Sequence, residues 1–157
     1  MNLQRILSEI VVKSFPELKY IKIEIDFNNV LEEDDAYFIY GTFSKNEFFI
    51  DLDKSLKIVK KEIIVGGIVH ELCHIVWELN IPEFKSKDLK FYKIIPKYRQ
   101  RDEKYTDLET ILRGYGSELF SLMDYYQRYP TRGYKKGTYS GLTVDDLKKI
   151  NFQGARK

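Results

Sequence analysis

The stretch Gly66-Gly67-Ile68-Val69-His70-Glu71-Leu72-Cys73-His74-Ile75-Val76 decides how the rest of the chain is read. Its only formal charge is Glu71, and apolar or small residues flank it on both sides. Asp53 or Ser55 can cap a helix ahead of it, and Asn80 and Pro82 stop one after Leu79. On such a helix His70 and His74, four residues apart, lie one turn apart on one face, so both imidazoles can reach the same ion. Glycine inside a helix costs about 1 kcal/mol relative to alanine. The pair Gly66-Gly67, one turn before His70, therefore asks for a packing partner that comes very close.

H-E-x-x-H is the ligand spacing of a catalytic zinc helix. Glu71 then points beside the open position of the ion, where it takes a proton from the attacking water and returns it to the leaving amine. The chain contains only two histidines, and both fall in this motif. Random placement would do this about once in a thousand chains, which argues for a metal helix over chance.

Around this helix the pattern is α+β. Leu3, Ile6, Leu7, Ile10 and Val11 recur at helical spacing, and Pro16 closes that helix. Tyr20–Phe27 alternates apolar and polar residues as a half-buried strand does. Asn28–Asp35 reads as an acidic loop. Tyr37–Thr42 and Glu47–Leu52 form two further strands around Ser44-Lys45-Asn46, a hairpin. After the histidine helix, Glu83–Arg101 contains Pro96 and reads as a long connection. A helix from about Arg101 to Arg113 follows, stopped by Gly114. Further helices are expected over Ser117–Arg128 and after Thr143, with Tyr129–Gly141 a loop. The expectation is one domain, residues 1–157: an N-terminal helix, a small sheet of three or more strands, the active-site helix, a glutamate helix and C-terminal helices.

A catalytic zinc needs three protein ligands. No histidine remains, so a carboxylate or a less usual donor has to complete the set. Glu103 and Asp107 lie at i and i+4 on the second helix, with Thr110 and Gly114 continuing their stripe. Gly114 is small enough to let the histidine helix approach. Tyr105, Leu108, Ile111 and Leu112 fall on the other side, expected to pack into the core. In this arrangement Glu103 binds the metal, and Asp107 accepts a hydrogen bond from the second nitrogen of a ligand histidine and fixes its tautomer. Asp107 as the ligand is the next alternative, and Glu109, which points away from the Glu103 stripe, the one after.

H-E-x-x-H followed by Glu103-x-x-x-Asp107 on the next long helix resembles the gluzincin metallopeptidases. The short chain looks like their smallest members, the minigluzincins, and related intracellular zincin-like proteins. The resemblance runs from Tyr20 to Gly114. It implies a zincin-like fold with one zinc ion, Glu103 completing its site and Asp107 supporting it. It also implies an antiparallel edge strand lining the cleft, drawn from Tyr37–Thr42 or Glu47–Leu52 and pairing with an extended peptide or protein substrate. The connection between the two helices is longer than in compact gluzincins. Thr106-Asp107 with Gly114-Tyr115-Gly116 is faintly similar to the aspzincins, whose third ligand is aspartate, but the spacing differs.

The function expected is zinc metalloendopeptidase, a peptide-bond hydrolase with Glu71 as general base and acid. The alternatives are a latent or non-catalytic zincin-like regulatory protein, and a nucleic-acid-associated module using the basic, aromatic-interleaved Lys85–Arg101 stretch. A net charge of +2 gives no prior for nucleic acid or anionic membrane. A lone cysteine, Cys73, excludes a disulfide framework within one chain and reads as a small core residue. Met1–Phe15, with Arg5, Glu9 and Lys13, reads as an amphipathic helix and not a signal peptide. No run approaches the length of a spanning helix, so the expected location is cytoplasmic. Glu78 reads as a surface charge. Tyr115 is a candidate to stabilise an oxyanion, although core packing suits it better.

Overall fold

In a computed structural model, residues 1–34, 36–79, 96–131 and 141–150 are described, the side chains of Glu33 and residues 96–102 excepted. The chain is α+β, and among the described residues one three-stranded sheet accompanies the helices. Helix α1 (Leu3–Ser14) starts where the Asn2 side chain accepts the Arg5 N–H at 3.0 Å. It buries Leu3, Ile6, Leu7 and Ile10, the apolar face read from their spacing. After a short 3₁₀ turn at Pro16–Leu18 come β1 (Lys22–Asn28), a short helix α2 (Val30–Asp34), β2 (Phe38–Ser44) and β3 (Glu47–Asp53).

β2 and β3 form the expected antiparallel hairpin, with a register shift between Thr42 and Ser44. β1 pairs with β3 in parallel, so the order is β1-β3-β2, with β3 in the centre and β2 at an edge. Helix α2 replaces the expected acidic loop. Asp53 explains how: Oδ2 accepts the Leu31 N–H at 2.9 Å and Oδ1 the Ser55 N–H at 2.8 Å. One buried carboxylate thus joins the end of β3, the first turn of α2 and a 3₁₀ turn at Lys54–Ile58. Asp53 therefore caps that turn, and the histidine helix α3 (Lys61–Leu79) begins only beyond it.

Helix α3 is the centre of the molecule. Every residue from Gly66 to Ile75 is buried, so the helix is covered on all sides and not on one stripe. The two glycines show what covers it. A Cβ at Gly66 would run into the backbone carbonyl of Glu118, and one at Gly67 into the ring of Phe38 on β2. The close approach anticipated for this pair is thus made on one side by helix α5 (Gly116–Arg128) and on the other by the sheet.

Helix α4 (Pro96–Thr110) is described from Pro96, five residues before the expected start. Proline lacks an N–H to donate, which suits the first turn of a helix and not its interior. Residues 80–95, the larger part of the expected connection, lie outside the described residues. A wide π-type turn at Ile111–Tyr115 ends α4, with Gly114 at φ 91°. The stop is where it was predicted, and it exploits glycine's tolerance of the left-handed region. Its role is conformational.

The expected core face of α4 is also corrected. Ile111 is buried, but Tyr105, Leu108 and Leu112 are exposed. Thr106, Asp107 and Thr110 are buried instead. α4 packs on α3 through its polar stripe, and a helix can turn only one face to a given neighbour. Helix α6 (Val144–Lys149) opens with a capping box between Thr143 and Asp146 and buries Val144 and Leu147. One hydrophobic core runs from α1 through the inner sheet face and α3 to α5 and α6. No helix among the described residues is long and apolar enough to cross a membrane.

Candidate metal centre

α3 and α4 bring together the residues that the sequence singles out. His70 Nε2 and His74 Nε2 face each other at 3.1 Å. Glu103 closes the group, with Oε2 at 3.2 Å from His70 Nε2 and Oε1 at 3.6 Å from His74 Nε2. Zinc bonds of about 2.0–2.1 Å in a tetrahedron set neighbouring ligand atoms about 3.3 Å apart, in the middle of these three separations. One ligand atom from each of the three residues lies within 4.8 Å of the others, so the group could hold a metal ion.

Polar side chains of α4 face the outer nitrogens of both imidazoles. His70 Nδ1 lies 2.9 Å from Asp107 Oδ1, close but bent away from a straight hydrogen bond. With the proton on Nδ1, the lone pair of Nε2 turns inward. His74 Nδ1 lies 3.4 Å from Thr106 Oγ1, so its inward nitrogen is Nε2 as well. The Tyr40 ring of β2 stacks on His74, 5.3 Å between centroids and 10° from parallel. Three electron-pair donors crowded within 3.6 Å repel one another unless a cation lies among them, a proton or a metal ion.

The electrostatics agree with that reading. Burial by itself would depress the His70 pKa, but the carboxylates of Asp107 and Glu103 hold it well above its ordinary value. Burial likewise pushes Glu103 up, and hydrogen bonds from His70 and His74 override this and bring it far below the usual carboxylate range. Glu71, 8% exposed, is raised by burial, with His70 and His74 partly offsetting. Glu71, Glu103 and Asp107 thus share a largely buried volume with two imidazoles. Buried carboxylates of this kind are costly unless paired, and a divalent cation neutralises them.

The remaining candidates are elsewhere. Glu109 forms an ion pair with Arg113 at 2.8 Å on the outer side of α4, away from the histidines. Cys73 is buried, 3.6 Å from Thr110 Oγ1, and burial pushes its thiol up to about 11. Tyr115 is a core residue whose phenol meets Ser14 Oγ at 3.0 Å.

Two aromatic neighbours escaped the sequence reading. One is Tyr40. The other is Tyr126 on α5, held well above its ordinary pKa by burial and by the charges of Glu71, Glu103 and Asp107. Twelve tyrosines with no spacing relation to the histidines gave no signal that could select these two. Side chains in Lys85–Arg101, on which the nucleic-acid alternative stood, lie outside the described residues. Compared with known proteins, the chain matches no family model, no curated protein and no solved structure.

Proposed function

We propose that the chain is a zinc-dependent peptidase in which His70, His74 and Glu103 hold the metal and Glu71 moves protons. The observation that carries this reading is the convergence of both Nε2 atoms and the Glu103 carboxylate within 3.6 Å, with Glu71 buried on the same helix. A bound zinc ion would supply Lewis acidity, acidifying water and polarising a carbonyl oxygen. Glu71 is suited to general base and acid work because it lies buried beside both histidines, and burial raises its pKa above the ordinary carboxylate value. Asp107 and Thr106 stand against the outer Nδ1 atoms of the two imidazoles, with both Nε2 atoms turned inward. Tyr40 packs flat on His74 and limits its rotation.

An extended peptide is the substrate form that the sheet favours. β3 is central, so among the described residues β2 is the edge strand of the two considered for the cleft. β2 also carries Phe38, against Gly67, and Tyr40, against His74, which brings its edge beside the metal centre. A substrate strand pairing there would hydrogen-bond through its backbone.

The test is zinc-loaded protein incubated with a peptide library and read by mass spectrometry, alongside Glu71→Gln. Cleavage that chelator abolishes and zinc restores is the expected result. Glu71→Gln should retain its zinc and lose about 10²-fold or more in turnover. Zinc binding without cleavage of any peptide would overturn the peptidase reading in favour of a metal-binding regulatory protein.

A further inference from the structure

Asp107 is fully buried, and its two oxygens face different parts of the chain. Oδ1 is the atom 2.9 Å from His70 Nδ1. Oδ2 accepts the backbone N–H of Leu142 at 2.7 Å. Leu142 stands immediately before α6, whose start is set by the Thr143–Asp146 capping box and whose Val144 and Leu147 are in the core. A donor on such an anchored backbone has a fixed position. The hydrogen bond from Leu142 restrains the carboxylate from swinging about its Cβ–Cγ bond and so sets where Oδ1 stands against His70 Nδ1.

We propose that the segment Leu142–Lys149 is a clamp for the metal centre: the Leu142 N–H fixes Asp107, and Asp107 fixes His70. Leu142 is thus a positioning residue, acting through Asp107 on the orientation and tautomer of a ligand it does not touch. This rests on the metal-site reading given above. The clamp meets His70 on its Nδ1 side, behind the ligand nitrogen. Coupling of this kind is reciprocal: if the docked segment tightens metal binding, the metal must tighten the docking by the same factor.

The test times zinc release to a chromophoric chelator from wild type, Leu142→Pro, Asp107→Ala and the double variant. Removing a direct partner of a ligand histidine costs about 10- to 100-fold in metal affinity. Leu142→Pro deletes a donor one step further out and should release zinc roughly 3- to 10-fold faster. It should add nothing once Asp107 is alanine.

Proline can also unseat the segment, so amide hydrogen exchange is followed in wild type with and without excess zinc. Exchange at Leu142 should slow by a similar factor when zinc binds, and that slowing should vanish in zinc-saturated Asp107→Ala. Equal release rates, an equal loss in both backgrounds, or a Leu142 amide indifferent to zinc would overturn the clamp and leave the metal site standing. A wild-type protein that takes up no zinc would instead remove the metal-site reading, and the clamp with it.

Discussion

Which nitrogen of His70 carries the proton governs what the centre can hold. Asp107→Asn tests this without changing shape. If the amide oxygen keeps the Leu142 N–H, the amide NH₂ faces His70 Nδ1 and drives the proton to Nε2, which then has no lone pair for a metal. Zinc affinity should fall at least as far as in Asp107→Ala, roughly 10- to 100-fold, measured by chelator competition. The third ligand is tested by Glu103→Ala, which should reduce zinc from one per chain to substoichiometric by mass spectrometry; full retention would overturn Glu103 as a ligand. His70, Glu71 and His74 were legible from spacing alone, because four residues make one helical turn in any fold. Glu103 and Asp107 were legible only as a stripe with alternatives. Choosing among Glu103, Asp107 and Glu109 needs the azimuth of α4 relative to α3, which is a tertiary quantity.

At the scale of elements, the position of α3 depends on two missing methyl groups. Gly67→Ala gains helix propensity of about 1 kcal/mol but forces the Phe38 ring to move, and overpacking of that kind costs about 1–3 kcal/mol. Gly66→Ala meets the Glu118 carbonyl, a backbone atom that cannot rotate away, so α5 itself must shift. The expected order in urea unfolding is wild type, then Gly67→Ala, then Gly66→Ala as least stable. Phe38→Leu should recover part of the Gly67→Ala loss and none of the Gly66→Ala loss, since only the first pair is in contact. The sequence signalled that the glycines needed a close neighbour but not which one. Likewise it exposed the amphipathic α1 and mistook the face of α4. There the buried side is polar because Glu103, Thr106 and Asp107 face the two histidines of α3, and periodicity reads such a stripe as solvent-facing.

For the whole molecule, the buried histidine–carboxylate group couples stability to pH. The folded-state pKa of His70 is raised, so the stability this group contributes is fully present below the unfolded imidazole value of about 6.5 and is lost as pH rises through the folded value. Glu103, lowered on folding, contributes above about 4.5, and that part is lost in acid as pH falls through its depressed folded value. The Tm of the metal-free protein should therefore decline as pH rises above about 6.5. Zinc competes with the His70 proton, so its affinity should rise with pH over that same interval. At free zinc a hundred times its Kd, the metal should add about 2.7 kcal/mol, seen by calorimetry as a Tm that no longer falls on the alkaline side. By itself the sequence determined the α+β class, the amphipathic α1, the hairpin and the metal-spaced pair on α3, because periodicity, turn residues and i,i+4 spacing act within one or two turns of chain. Only the tertiary structure decided that β3 is central and β2 an edge, that Glu103 and not Glu109 faces the histidines, that Tyr40 covers His74, and that Leu142 reaches Asp107. Each of these pairs residues far apart in the chain, and which of them meet is set by how helices and sheet share one core.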